Sequence, residues 1–268
     1  MPGELSASPL LVRARGRRRR AQFVRYGLPI LTLVVSVVAW EVVVRSLSLP
    51  KFLLPAPSAV YTETLSRVHE LPLHTWVTLY ETLLGFGLAA VIGVVLAILI
   101  AYSRLLQHTI FPLLVVTQAV PKVALAPLLL LWLGYGDGPK VLVAFLVSFF
   151  PIVVNVAAGL KAVEPEVIDL SRSLSASEWQ TFRKVRFPSA LPYFFSGLKV
   201  AITLSLIGAV IGEFVGADRG LGYMIVVSSA HVNTSLAFGA IFVLSVMGII
   251  LFFSVEMAER VFCRWNTE

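Results

Sequence analysis

The residues best suited to chemistry lie in the polar segment 164–192, which separates two long apolar stretches. Ser175 and Glu178 have the spacing of a capping box, in which the serine caps a helix and the glutamate bonds back to it. This spacing predicts a helix from Ser175 to about Phe187, because Pro188 disfavours helical backbone in the preceding residue and cannot donate a helical hydrogen bond.

The predicted helix carries aromatic rings and guanidinium groups on one face. The residues at positions i, i+3, i+4, i+7 and i+8 of this face are Trp179, Phe182, Arg183, Arg186 and Phe187. Two interpretations fit this pattern: an amphipathic helix lying among lipid headgroups, or a helix whose aromatic anchors enter a groove of another protein. In either case the chemistry is recognition.

Catalysis within this chain is not expected. The sequence has no Walker A, GxSxG or HExxH pattern, and its single cysteine, Cys263, forms no internal disulfide. The histidines are scattered without metal-ligand spacing. We therefore expect no cofactor or metal here, and the energy for any work must come from an ion gradient or from an ATPase on another chain. The histidines are His69, His74, His108 and His231.

The composition identifies an integral membrane protein. Hydrophobic residues make up 57% of the chain and charged residues 14%, with a mean hydropathy of +0.86, which is more apolar than a soluble domain. We predict an all-α fold of about six transmembrane helices. Before the core, we predict a basic arm at 1–25, a first span at 26–48 and a proline-rich extracytoplasmic segment at 49–81 with a short amphipathic helix. The core covers 82–257, with spans near 82–102, 110–134, 141–161, 192–214 and 236–257 and a loop at 164–191. A tail follows at 258–268.

Basic residues predict the orientation of the chain. With the N-terminal arm inside, fifteen lysines and arginines outside the spans lie on that side and five lie on the other. Both termini and the 164–191 loop should then be cytoplasmic. The arginines of the arm fit a topology signal or an anionic-lipid contact, so nucleic acid is not expected as a partner. The five basic residues on the outer side are Arg45, Lys51, Arg67, Lys140 and Arg219.

The third apolar window contains Pro112, Pro121 and Pro127, and it should be kinked or broken, as helices that line pathways often are. Glycines in the second and fifth windows have the spacing of close helix contacts. Glu213, at the outer end of the fifth window, fits a pore, a bond between helices or an interface position. The polar candidates for a pathway are Thr117, Gln118, Ser148, Asn155 and Glu213.

The loop resembles the EAA motif of permease subunits of bacterial ATP-binding-cassette importers. That motif is Glu-Ala-Ala, three residues, Gly, nine residues, then Ile-x-Leu-Pro. The same spacing is filled here by Asp169-Leu170-Ser171, then Ser175, then Val185-Arg186-Phe187-Pro188. Serine in place of the glycine is the clearest departure. The segments 121–127, 131–136, 197–199 and 220–223 are similar to the nitrate, sulfonate and taurine branch, which includes thiamine-precursor and riboflavin relatives, and residues 216–222 favour the vitamin-precursor group.

The resemblance implies two permease chains, most simply identical, with a pathway at their interface. It implies two cytoplasmic ATPase subunits holding ATP and magnesium, each receiving the coupling helix, and a soluble binding protein that delivers the solute outside. Trp179 and Phe182 would anchor the helix, and Arg183 and Arg186 would pair with acidic groups. The alternative is a secondary transporter or channel that needs no ATPase, for which acidic residues in the spans and inverted repeats would be expected.

Overall fold

The computed structural model describes residues 27–264, so the predicted arm at 1–25 and the last residues of the predicted tail lie outside the described part. Its helices are α1 (Leu28–Ser46), α2 (Pro57–Ser66), α3 (Leu71–Tyr102), α4 (Arg104–Thr117), a 3₁₀ turn (Lys122–Leu125), α5 (Ala126–Leu133), α6 (Asp137–Lys161), α7 (Pro165–Ser173), α8 (Glu178–Gly216), α9 (Leu221–Ala230) and α10 (Thr234–Phe262).

The predicted all-α membrane fold is confirmed. Within the described residues, five helices are long and apolar enough to cross a membrane, and the bent pair of α4 with 122–133 makes a sixth. Helix α3 begins at Leu71 rather than at residue 82, because Pro72 suits a first helical turn. Polar residues such as His74 and Glu81 had lowered the hydropathy of that stretch. Helix α2 corresponds to the predicted short amphipathic helix.

The third span is broken, as its prolines predicted. Helix α4 and the helical segment 122–133 meet at an angle of 82°. The break falls at 118–121, where Pro121 adopts an extended backbone, whereas Pro112 lies inside α4 without ending it. We call residues 117–124 the break segment.

The predicted end of the coupling helix at Phe187 is wrong. Helix α8 continues through Pro188 as one element of 39 residues. A π turn at Phe182–Arg186 widens the helix just before the proline, and the Phe187 N–H bonds to the Phe182 carbonyl. Pro188 then stands in the first turn of the following α-helical stretch, where a missing N–H is tolerated. The predicted coupling helix is therefore the first part of the fifth span.

Glycines allow the central helices α3, α6 and α8 to pack closely. A Cβ on Gly85 would lie 2.5 Å from the Cβ of Ala144, and one on Gly208 would lie 2.6 Å from the Ala144 Cα. Ala144 of α6 is thus held between α3 and α8. Gly87, by contrast, faces open space. The first span differs from this core, since Val44 is the one buried residue of α1 in the described structure.

Candidate functional site

Residues 165–181 form a helical hairpin at the end of the bundle where α6 ends and α8 begins. Its first helix, α7, closes with two backbone bonds: Ser175 N–H to the Arg172 carbonyl at 2.9 Å and Ala176 N–H to the Ser171 carbonyl at 3.0 Å. This pair is the Schellman arrangement, which places the residue after the helix cap in the left-handed region. Ser175 is that residue, with φ of 55°.

The predicted capping box at Ser175 and Glu178 is therefore wrong. The serine that caps the second helix is Ser177, whose Oγ accepts from the Gln180 N–H at 3.2 Å while its own N–H donates to Gln180 Oε1 at 2.8 Å. The capping box exists, two residues further along. Glu178 lies exposed in the first helical turn instead of closing a cap.

The predicted aromatic anchors Trp179 and Phe182 have different surroundings. Trp179 is 67% exposed. Phe182 stacks on it with a centroid distance of 5.6 Å, but turns toward the bundle, where its ring lies 6.1 Å from that of Tyr102. Phe182 also lines an apolar pocket with residues of α3 and α6. Phe182 is thus part of the bundle interior, and Trp179 alone of the two is free for a partner.

The two arginines of the predicted helix face, Arg183 and Arg186, also have different surroundings. Arg183 and Lys184 are exposed. The Arg186 guanidinium lies 5.2 Å from the centroid of the Tyr102 ring, a cation–π distance. Arg186 therefore joins the start of α8 to the end of α3 within the subunit, and Arg183 is the guanidinium of this pair that faces outward.

The exposed apolar residues of the hairpin form a surface that we call the hairpin patch. Leu174 is 74% exposed, and Leu170 lies one helical turn before it on α7. Asp169 and Arg172 flank the patch as a salt bridge of 3.5 Å between exposed groups, whereas Ser171 is buried and bonds to the Val167 carbonyl. The members of the hairpin patch are Val167, Leu170, Leu174 and Trp179.

The break segment contains two of the predicted pathway residues. Thr117 is exposed, and Gln118 Oε1 accepts from Lys122 Nζ at 2.6 Å. The other two uncharged candidates belong to α6: Ser148 is fully buried and bonds to the Ala144 carbonyl, and half-buried Asn155 bonds to the Pro151 carbonyl. The structure therefore does not place Ser148 on any surface of the subunit.

Glu213 holds a turn together rather than facing open space. Its carboxylate accepts from Thr78 Oγ1 at 2.6 Å and from the Gly222 N–H at 2.5 Å. Gly220, with φ of 118°, passes so close that any Cβ would overlap the carboxylate. His74 Nδ1 accepts the Gly220 N–H at 3.0 Å. Among the three readings of the sequence, the geometry favours the bond between helices.

Sequence reasoning missed a buried ion pair between α3 and α6. Lys140, which we had placed on the outer flank, is 3% exposed and contacts Glu81, which is 0% exposed. Asp137, at 3.2 Å, is a second carboxylate for this ammonium. Glu81 lies at the polar start of its apolar stretch, and no periodicity in either sequence window pointed to a pair. The pair and Glu213 form a polar cluster at the end of the bundle opposite the hairpin.

Comparisons with known proteins identify the family of the chain. The family model described as "Binding-protein-dependent transport system inner membrane component" matches residues 89–264. The permease protein ThiX of Halalkalibacterium halodurans, named for formylaminopyrimidine transport, is 35% identical over 89% of this chain and 95% of its own. RibX of Chloroflexus aurantiacus, named for riboflavin transport, is 36% identical over 92% and 93%.

More distant permease relatives are named for aliphatic sulfonates, taurine and nitrate, at 27% to 28% identity. Among solved structures, an inward-facing form of the MetNI methionine ABC transporter matches with a TM-score of 0.63 and 20% identity, over 70% of this chain and 94% of that one. This likeness concerns the fold. The family resemblance is thus confirmed, and the chain belongs to the family of binding-protein-dependent transport system inner membrane components, as a permease subunit of an ATP-binding-cassette importer.

Proposed function

We propose that two copies of this permease enclose a solute pathway and that a cytoplasmic ATPase docks on the hairpin of each copy. The observation that carries the proposal is the hairpin patch, in which Leu170, Leu174 and Trp179 are exposed on a folded, capped and polar segment. Exposed aromatic and aliphatic anchors with a charged rim are typical of a protein interface.

The charge of the hairpin supports a protein partner over the headgroup layer. Residues 164–173 contain Glu164, Glu166 and Asp169 against one basic residue, Arg172. Helices that lie in the membrane interface are rich in lysine and arginine on their polar face and are attracted to anionic lipids. The acidic rim of α7 has the opposite sign, so we expect basic groups around the partner's groove.

The roles of the docking residues change accordingly. We assign the anchors to Leu170, Leu174 and Trp179, and we remove Phe182 and Arg186 from the docking surface because both contact Tyr102 within the subunit. Ser175 and Ser177 shape the hairpin. The π turn before Pro188 makes the hairpin continuous with α8, so a displacement of the hairpin would pass directly into the fifth span.

The pathway is proposed to follow the break segment. Irregular backbone at membrane depth is tolerated where protein covers it or where it lines a water-filled cavity. Thr117, Ala119, Val120 and Pro121 are exposed on the single subunit, so this surface should face the second copy across the pathway. Homodimerisation is the simplest arrangement.

A binding protein is proposed to deliver the solute on the side opposite the hairpin. Two relatives at 35% to 36% identity are named for formylaminopyrimidine and riboflavin, and those named for sulfonates, taurine and nitrate are less similar. We therefore propose a small heterocycle of the vitamin-precursor kind as the solute. ATP and magnesium would be held by the ATPase chains.

Substitution of the hairpin patch tests the docking proposal. In the variant Leu170→Asp/Leu174→Asp, two buried anchors of the complex would become charged, each costing about 2 kcal/mol or roughly 30-fold in Kd. Co-purification of the cognate ATPase should be lost. The control Leu53→Asp changes an equally exposed leucine in the segment before α2, and it should retain the ATPase.

Undiminished co-purification of the double variant would contradict docking on the hairpin. Membrane insertion is checked separately by the yield and by the elution volume of the variant in detergent. The alternative of an ATPase-independent transporter predicts that solute uptake in vesicles is the same with and without the ATPase.

A further inference from the structure

Lysine side chains within apolar helices are usually paired with a carboxylate, because an isolated ammonium in hydrocarbon is costly in free energy. Among residues 27–264, the lysines that are not exposed are Lys122, Lys140 and Lys199. Lys140 pairs with Glu81, and Lys199 donates to Glu259 at 2.7 Å. Lys122 differs from both within the described residues, because its Nζ contacts only the amide oxygen of Gln118. Its positive charge is therefore not balanced by a carboxylate in the described part of the subunit.

By length and composition, Lys122 falls within the third candidate membrane span. Helix α4 starts beside Tyr102, which contacts the hairpin end of the bundle through Phe182. Fourteen helical residues lead from Arg104 to Thr117, a rise of about 20 Å at 1.5 Å per residue. A hydrocarbon core of about 30 Å would therefore still surround the break segment.

Lipid is a poor neighbour for this surface. The break segment presents an extended and exposed Pro121, non-helical backbone and a half-buried lysine at the surface of the subunit. Neither irregular backbone nor an unbalanced ammonium is stable against acyl chains. Water or a polar solute is the neighbour that satisfies both. The same residues thus mark a hydrated point of the route and give it a positive potential.

We propose that Lys122, with Gln118 orienting its ammonium, selects solutes within the pathway by charge. It favours anions and neutral molecules rich in hydrogen-bond acceptors, such as heterocycles with carbonyl groups or ring nitrogens, and it opposes cations. The ammonium donates hydrogen bonds and accepts none, and a fixed charge in a narrow passage is an electrostatic barrier to ions of its own sign. This inference rests on the proposed pathway, and it states which solutes that pathway favours.

The test uses charged thiol reagents, so it does not require the natural solute. In a background with Cys263→Ala, the reporter Val123→Cys replaces a side chain that is 58% exposed beside Lys122. The probes are an anionic and a cationic methanethiosulfonate of similar size, applied to the protein in lipid vesicles. A unit charge about 4 Å away in water changes each rate by roughly fivefold, in opposite directions. The ratio of the anionic to the cationic rate, divided by the same ratio at an exposed reference cysteine, should therefore exceed one at Val123→Cys.

Replacement of the lysine provides the control. Lys122→Gln in the reporter background should remove the preference for the anionic reagent, and Lys122→Arg should keep it. A second reporter, Leu53→Cys, lies far along the chain from the break and should show no change with Lys122→Gln. The comparison of the two reagents in the chain that retains Lys122 needs no folded glutamine variant.

Two results would overturn the proposal. If Val123→Cys reacts with neither reagent, the break segment is covered by lipid or protein rather than water. If the normalised ratio at Val123→Cys is one and Lys122→Gln changes neither rate, the lysine does not set the potential. ATP-driven uptake is measured independently in the same vesicles. Failure of the charge selectivity would be seen in the reagent rates, whereas failure of the proposed function would abolish uptake, so the two are distinguishable.

Discussion

Ser175 closes the first helix of the hairpin in a backbone conformation that serine adopts at a cost. Its φ of 55° lies in the left-handed region, where a Cβ costs roughly 1–2 kcal/mol and glycine is preferred. Serine stands where the EAA pattern has glycine, so the structure explains that glycine by backbone geometry. The hairpin keeps the turn because two backbone bonds hold it.

We predict that Ser175→Gly stabilises the hairpin and Ser175→Pro opens it. Glycine relieves the strain, with a gain of about 0.5–1 kcal/mol after its greater chain entropy. Proline is fixed near φ of −65° and loses the N–H that bonds to the Arg172 carbonyl. Hydrogen exchange of residues 165–181 measures both effects. Faster exchange in Ser175→Gly than in the parent chain would contradict this explanation.

The same turn shows why sequence reasoning misplaced the cap. Ser175 with Glu178 and Ser177 with Gln180 both satisfy the capping-box spacing. Only the left-handed backbone at 175 decides between them, and local spacing carries no information on that dihedral angle. The sequence analysis therefore identified the turn and, to within two residues, the N-cap of the second helix, but it exchanged the roles of Ser175 and Ser177.

The buried pair of Glu81 and Lys140 gives a second prediction at this scale. Lys140→Met leaves the buried Glu81 carboxylate without the cation it contacts, whereas Asp137 would remain beside Lys140 after a change at Glu81, so Lys140→Met should lose about 3–5 kcal/mol of stability. Glu81→Leu/Lys140→Met replaces both charges by apolar groups and should recover most of the loss. Thermal unfolding in detergent measures the cycle. Additive losses in the double variant would show that the two side chains do not interact.

At the scale of helices, two glycines of α3 have different amounts of space around them. Gly85 faces Ala144 of α6 with no room for a methyl group, while Gly87 has open space around it. We predict that Gly85→Ala lowers the melting temperature and the yield of monodisperse protein, because two helices must move apart. Gly87→Ala is the matched control and should be neutral or slightly stabilising. Equal effects of the two substitutions would refute the observed packing.

Most of the spans could be predicted from hydropathy, and the break at the third span from its prolines. The continuation of α8 through Pro188 could not, because a π turn accommodates the proline and no local signal announced it. Phe182 was misassigned for a related reason. The helical periodicity grouped it with Trp179, but contact with Tyr102 of α3 depends on tertiary packing.

For the whole molecule, the excess of basic residues on one side predicts a cytoplasmic hairpin. Two cysteine reporters in a Cys263→Ala background test this orientation. Ser173→Cys in the hairpin and Lys51→Cys near α2 are both at exposed positions. A membrane-impermeant maleimide applied to intact spheroplasts should label Lys51→Cys and leave Ser173→Cys unlabelled until the membrane is permeabilised. The reverse pattern would place the hairpin outside and remove it from any ATPase.

The most direct measurement is solute uptake into vesicles containing the permease, the neighbouring ATPase and the binding protein, using radiolabelled formylaminopyrimidine and riboflavin as probes. Parent permease should accumulate one of them only with ATP, and Leu170→Asp/Leu174→Asp should reduce ATP-driven uptake by at least tenfold while Leu53→Asp does not. Uptake of a probe by the permease without the ATPase, or by the hairpin variant at the parent rate, would contradict the claim that ATPase motion reaches the pathway through the hairpin.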